Sequence, residues 1–408
     1  MTRRKRVLFF AEPATLAHVV RPAVLAAALS RHGYDVQIAT GHDFEKLAAE
    51  SGLVVRTLDC IGTNAYLSAV RASRVVFPLE VLERYVDDDR RHISDFKPDL
   101  VVGDFRLSLS VSARLASVPY VCVSNAYWSP YVAARTEIPA HWSTRLLGPG
   151  FAGALFRPIA PLILGLHALP MRRLRARHGL PSIGLDLRRV FTEGDITVFA
   201  DVPDLVPGAD DDGGQPQRYA YIGAVPWSPV ADVPRELLAL ADKQRLVYVS
   251  LGSSGNPALL SPIAQAVADA GCVPIVATGR ASDGKRRMPG NGIARPFLPG
   301  DKMARLACVV ICNGGSPSTQ QAFAEGTPVL GIPENLDQLL NMQFVVRSGS
   351  GLAIRADQVD RRRVASHLAR VVEEPSFAAN AGRAAAALAR YDAGERFAAV
   401  VRRLLRDA

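Results

Sequence analysis

Short apolar runs alternate along the chain with longer stretches in which alanine and leucine recur at helical spacing. Residues 6–11 form the first run, 22–31 carry the helical repeat, and 33–41 supply a second run, the pattern of a βαβ unit. The same order returns from residue 245: an apolar run over 245–251, glycine and serine at 252–255, a helical stretch near 261–270, and another run over 271–280. The two units nearly match in length, 34 positions from Arg6 to Thr40 and 33 from Arg245 to Thr278. Runs at 99–103 and 118–124 extend the first half, and 308–312 and 328–332 extend the second. The pattern predicts an α/β protein built from two Rossmann-like, doubly wound parallel sheets. Residues 201–234 are dense in proline, glycine and aspartate and put the boundary near 222–236, with a first domain over 1–222 and a second over 223–385. Ligands of such sheets bind beyond the carboxyl ends of the strands, so two facing sheets are expected to form one cleft.

Composition narrows the class. A chain of 408 residues, 49% hydrophobic and 21% charged, is long enough for two or three globular domains and too apolar for disorder. The five cysteines, Cys60, Cys122, Cys272, Cys308 and Cys312, are scattered without CxxC or CxxH spacing, which fits a reduced interior and offers no zinc site. The formal charge is +9, but 42 of the 48 basic residues are arginine and they are dispersed, so no stripe for nucleic acid stands out. Such arginine can also attract anionic ligands or membrane surfaces. Behind the basic run Arg3–Arg6, residues 7–11 are too short for a signal-peptide core, and a cytoplasmic location is expected. Residues 146–171 are the most apolar later segment. They carry Arg157 and are interrupted by Pro149, Pro158, Pro161 and Pro170, so the sequence predicts a poor membrane span that still leaves contact with a bilayer surface or a greasy substrate open. The acidic runs 87–89 and 210–212 read as exposed helix and linker.

Candidate chemistry concentrates in two places. In the first half, His18 falls in a loop just before a helix starting near Pro22, and Asp104 follows the run 99–103. An aspartate accepting from the imidazole Nδ1–H would leave Nε2 to act as a base, although each residue alone also reads as a surface histidine and a helix cap. In the second half, a strand ends in Asn313, Gly314 and Gly315 allow close backbone approach, and Ser318 and Thr319 sit in the first turn of the next helix. Amides and the helix dipole there favour a phosphate; the plain alternative is a turn with a serine cap.

Residues 297–341 resemble the donor-binding signature of the nucleotide-sugar-dependent glycosyltransferase superfamily that includes the plant, macrolide and flavonoid UDP-glycosyltransferases. The match runs through Phe297, Asn313, Gly314, Gly315, Ser318, Thr319, Ala322, Gly326, Pro328, Pro333, Asp337, Gln338 and Asn341. The resemblance implies a GT-B fold, a carboxyl-terminal helix over about 386–408 crossing back to the first domain, and inverting, metal-independent sugar transfer with no cofactor beyond the nucleoside-diphosphate sugar. It gives His18 and Asp104 the roles of base and orienting carboxylate. The donor set it implies is Ser253, Phe297, Leu298, Asn313, Gly315, Ser316, Ser318, Gln321, Asp337 and Gln338. Four positions depart from the family's pattern: Asn313 stands for a histidine, Gln321 for a glutamate, Gly300 for a glutamine, and Pro317 occupies the second turn position.

Aromatic residues Tyr127, Trp128, Tyr131, Trp142 and Phe151 are candidates for lining a pocket for a lipophilic acceptor, with ordinary packing as the alternative. The resemblance therefore implies a glycosyltransferase acting on a hydroxyl of a lipophilic small molecule, a natural product. The alternative is a non-catalytic or accessory relative that binds nucleotide sugar or partners another enzyme.

Overall fold

In the computed structural model, residues 3–211, 218–279 and 288–407 are described. Asp212 of the run 210–212 and Arg280 of the run 271–280 lie outside them. The described residues contain two parallel sheets. The first runs β1 (Arg6–Ala11), β2 (Asp35–Thr40), β3 (Val54–Thr57), β4 (Leu100–Asp104), β5 (Tyr120–Ser124), β6 (Ile196–Phe199) and β7 (Tyr219–Tyr221). Their spatial order is β3-β2-β1-β4-β5-β6-β7. The second contains β8 (Leu246–Ser250), β9 (Val273–Ala277), β10 (Ile293–Arg295), β11 (Ala307–Cys312), β12 (Val329–Gly331) and β13 (Gly351–Ala353), in the order β10-β9-β8-β11-β12-β13. Each sheet reverses its strand order once, between β1 and β4 in the first and between β8 and β11 in the second. Parallel strands need crossovers, and a reversal leaves a crevice at the carboxyl ends where no crossover covers the sheet. Both candidate sites begin at these two points.

The chain divides into two compact units. The first comprises Met1–Ala133, Pro158–Val225 and Tyr391–Ala408, the second Ala134–Arg157 and Pro226–Arg390. In the first unit, β1, β4, β5 and β6 are buried on both faces, with Phe9, Val102, Val123 and Val198 among a core that also takes in Phe397, Ala398 and Val401 of the helix Ala393–Asp407. The expected carboxyl-terminal helix is thus two helices. Pro375–Ala389 belongs to the second unit and Ala393–Asp407 to the first.

Ala134–Arg157, which the sequence pattern assigns to the first domain, belongs to the second unit. Its extended part is tied there by backbone groups: Ala140 N–H donates to the Glu334 carbonyl at 2.8 Å, and the Arg355 guanidinium to the Ile138 carbonyl at 2.8 Å. The Gln343 carboxamide meets both the N–H and the carbonyl of Arg135, at 2.9 and 2.7 Å.

Pro149–Arg177 is one 29-residue helix, where the prolines predict breaks. Pro149 occupies the first position, where no helical N–H is needed. Pro158, Pro161 and Pro170 deprive the carbonyls of Ala154, Arg157 and Leu166 of their helical donors. All three residues are exposed, so water satisfies those carbonyls and the helix continues. The run 87–89 does lie on a helix, Leu79–Phe96, but only Asp87 is exposed as its charges predict; Asp88 and Asp89 are buried among hydrogen-bonding partners in the first unit.

Candidate active site

His18 is in the first turn of the helix Ala17–Arg31, which begins five residues earlier than Pro22 suggests. Pro22 is accommodated inside it. Ala11, the last residue of β1, pairs with Asp104, the last residue of β4, so the chain leaves both strands side by side. His18 Nδ1 lies 2.8 Å from Asp104 Oδ1. With Nδ1–H donating to the carboxylate, the imidazole presents Nε2 as the acceptor of a proton.

Asp104 does more than orient the ring. Arg21, one helical turn beyond His18, donates from Nε to Asp104 Oδ2 at 2.6 Å and from Nη2 to Oδ1 at 2.8 Å. Its Nη1 donates to Asn125 Oδ1 at 2.8 Å, and Asn125 donates on to Asp201 at 3.0 Å. Burial alone would raise the Asp104 carboxyl; the charge of Arg21 and the hydrogen bonds from His18 and Arg21 outweigh it and hold the group below the usual carboxylate range. Arg21 in turn stays protonated, since attraction to Asp104 overcomes its own burial.

The imidazole is fixed on its face as well as its edge. Phe105 stacks on it with ring centroids 4.6 Å apart and planes 13° from parallel. To reach that position Phe105 adopts φ 60°, a left-handed conformation that costs a non-glycine residue roughly 1–2 kcal/mol. Phe191 at 5.2 Å and Phe77 at 5.7 Å pack edge-on against the Phe105 ring. Arg21, Phe105, Asn125 and Asp201 were not legible as site residues in the sequence. Their common signal is position: each follows a strand of the first sheet by a residue or two, or lies one helical turn from His18.

At the second reversal, β11 ends at Cys312 beside Ser250 of β8. Asn313 Oδ1 accepts from Gly315 N–H at 3.1 Å, and Nδ2 donates to Ser254 Oγ at 3.0 Å. The serine that joins the turn is therefore Ser254, while Ser253 is exposed. Gly314 has φ 79°, and a Cβ there would stand 2.6 Å from Met342 Cγ, so only glycine fits. The turn leads into the helix Ser316–Ala324, whose first-turn amides at Ser316 and Ser318 have no partner within the helix; Pro317 between them has no N–H. Asn341 braces the turn by donating to the Gly314 carbonyl at 2.8 Å and to Thr319 Oγ1 at 3.0 Å.

The other donor candidates divide by exposure. Phe297 is exposed, with a ring free of the core to stack on a base, and Leu298 is buried. Gln338 is buried and structurally engaged: its Oε1 accepts from the Glu334 and Asn335 amides in a capping box with Asn335, and its Nε2 donates to Ser254 at 3.2 Å. Asp337 precedes it in the first turn of the helix Leu336–Arg347. Gln321 Nε2 donates to the Trp227 carbonyl at 3.1 Å. A Cβ on Gly300 would come within 2.2 Å of Gln321 Oε1, so these two departures from the family's pattern go together: the glycine makes room for the glutamine.

The five aromatic acceptor candidates are not gathered in one unit. Tyr127, Trp128 and Tyr131 belong to the first, and Trp142 and Phe151 to the second. Tyr127 and Trp128 are buried, the latter edge-on to Phe191 at 4.7 Å; Tyr131 packs on Tyr219; Trp142 and Phe151 are exposed.

Comparisons with known proteins place a chain with these two parallel sheets among glycosyltransferases. Residues 263–400 match the family described as erythromycin biosynthesis protein CIII-like, C-terminal domain. The chain is 41% identical over 387 residues to a PGL/p-HBAD biosynthesis glycosyltransferase of Mycobacterium tuberculosis (strain ATCC 25177 / H37Ra), covering 95% of this chain and 89% of the relative. It is 40% identical over 388 residues to a PGL/p-HBAD biosynthesis rhamnosyltransferase of Mycobacterium bovis (strain BCG / Pasteur 1173P2), covering 95% and 85%. In fold it resembles the spinosyn forosaminyltransferase SpnP, with a TM-score of 0.72 and 20% identity over 99% of this chain and 100% of that one. The chain belongs to the nucleotide-sugar-dependent glycosyltransferase superfamily of GT-B fold and is a glycosyltransferase.

Proposed function

We propose that the enzyme transfers a sugar, with inversion and without a metal ion, from a nucleoside-diphosphate sugar to a hydroxyl of a lipophilic natural product. The observation that carries the proposal is the 2.8 Å contact of His18 with Asp104, backed by Phe105 on the ring face. In this reading His18 Nε2 takes the proton of the acceptor hydroxyl, and Asp104 stabilises the imidazolium that results. The acceptor oxygen forms its bond to the anomeric carbon as the bond to the diphosphate breaks on the opposite face. The amides at the start of the helix Ser316–Ala324 receive the charge developing on the leaving group.

The curated relatives suggest the first substrates to try, since one is by name a rhamnosyltransferase and both serve PGL/p-HBAD biosynthesis. Nucleoside-diphosphate rhamnose with a panel of lipophilic phenols and alcohols, read by mass spectrometry, is the direct test. Transfer should be unchanged by excess EDTA; a loss of rate that a divalent cation restores would refute the metal-independent scheme.

Asn313→Ala should weaken nucleoside-diphosphate binding by about 10- to 100-fold, because the turn loses the side chain that joins Gly315 to Ser254. Calorimetric titration with uridine and thymidine diphosphates checks this, and unchanged affinity would remove the donor from this turn. A non-catalytic reading draws on the internal engagement of Gln321 and Gln338. It predicts no transfer with any donor despite measurable diphosphate binding.

Arg21 sets the pH response. The Asp104 carboxyl titrates low, so its contribution to stability is present above about pH 3.9 and fades only as the pH falls through its lower folded value. Arg21→Gln takes away the charge that chiefly opposes burial at Asp104, so the carboxyl should titrate higher and the acid loss of stability should begin at higher pH. Urea unfolding followed as the pH is lowered measures this, and an acid transition that stays in place, or moves lower, contradicts the coupling.

A further inference from the structure

The helix Pro149–Arg177 carries an apolar stripe that the transfer chemistry does not use. Phe151, Leu155, Ile159, Leu162 and Leu166 recur at intervals of four, four, three and four residues, and each is between 48 and 68% exposed. At 3.6 residues per turn they fall within an arc of about 80° and run for roughly 22 Å. In the carboxyl-terminal half the opposite face is committed to protein: Ala168, Met171 and Leu174 are buried with Tyr85, Val111 and Val190 in the first unit. The helix is long and apolar enough to cross a bilayer by length and composition. Its carboxyl-terminal half is held in that core, so it cannot leave to span one.

Charge says what covers the stripe. Between Glu137 and Asp186 the chain has no acidic residue and six arginines. Arg145, Arg172 and Arg173 are exposed, and Arg173 continues the stripe one heptad beyond Leu166, while Arg157, six residues after Phe151, lies on the other side of the helix. A small aglycone is shorter than the stripe. A second copy would bring like-charged segments together. An apolar strip about 22 Å long flanked by arginines, whose alkyl stems can lie along apolar surface while their heads meet phosphate, has the chemistry of an interfacial helix.

We infer that this helix docks the enzyme on an anionic phospholipid surface, lying in the interface with Phe151, Leu155, Ile159, Leu162 and Leu166 among the acyl chains and the exposed arginines at the headgroups. The inference is independent of the proposed transfer reaction and its test needs no substrate.

The test is co-sedimentation of the full chain with sucrose-loaded vesicles, one set of phosphatidylcholine alone and one with about one third phosphatidylglycerol. The protein should sediment with the anionic set, be released by high salt, and remain largely in solution with the neutral set. Leu155→Glu combined with Leu162→Glu should lower partitioning by at least about 10-fold without shifting the unfolding midpoint, because both side chains are already exposed. Arg172→Ala with Arg173→Ala should lower it several-fold through charge alone. Wild-type protein that ignores anionic vesicles overturns the inference. So does binding that survives the leucine substitutions, or a dimer in light scattering that those substitutions dissociate while vesicle binding is absent. Should the leucine variant fail to fold, the wild-type salt and lipid series with the arginine variant decides.

Discussion

His18→Ala is expected to lose about 100- to 10,000-fold in turnover while its affinity for nucleoside diphosphate is unchanged. The separation follows from where the residue sits. His18 is bound to Asp104 at the first sheet's reversal, and the glycine turn proposed to hold the diphosphate follows a strand of the second sheet. Loss of the base should therefore leave donor binding intact and remove proton transfer from the acceptor. Turnover measured beside calorimetric diphosphate binding checks both halves of the expectation. Activity within a few-fold of wild type would take His18 out of the mechanism, and a parallel loss of diphosphate binding would mean the substitution disturbs more than the base.

Arg106→Ala should destabilise the protein by about 3–5 kcal/mol, the cost of stripping a buried ion pair of one partner. Arg106 is fully buried, donates to Asp89 at 2.9 Å and to Glu12 at 2.8 Å, and lies 3.7 Å over the ring of Tyr85. Burial already pushes the Glu12 carboxyl above its ordinary range, with Arg106 the chief group opposing it. Without the guanidinium, Glu12 and Asp89 would be left as two acids in a dry site, although Ser108 and Ser112 would still donate to Asp89. Because Glu12 directly follows β1, the loop leading to His18 is held by the same network. Urea unfolding of the full chain followed by tryptophan fluorescence measures the change, and a loss below about 1 kcal/mol would show that water or a shifted side chain replaces the cation.

The strands were legible in the sequence because apolar runs of parallel sheets are continuous, and the runs at 6–11, 99–103, 245–251 and 308–312 fall on observed strands to within a residue or two. The glycine turn after Cys312 was legible for a similar reason: glycines with a strand before them and a helix after them have few other uses. Side-chain partnerships across long separations were not. Arg21 and Asp104 are 83 positions apart, and Asn125 and Asp201 are 76 apart. Nothing local distinguishes them from surface polar residues. Proline and charge misled in the same way. Pro22 and the prolines of Pro149–Arg177 read as helix boundaries, yet the helices run through them. Asp88 and Asp89 read as solvated until Arg106 is seen beside them. The extended part of Ala134–Arg157 is tied to the second unit through its own backbone groups, which leave no imprint on its side-chain pattern.

The most direct test of the central claim is the anomeric configuration of the product. Nucleoside-diphosphate rhamnose of defined configuration is incubated with the enzyme and a lipophilic phenol, and the glycoside is read by NMR through the one-bond carbon–proton coupling at its anomeric centre. A single displacement driven by one base predicts a product whose anomeric configuration is opposite to the donor's. A product with the donor's configuration would contradict the single displacement and the role given to His18.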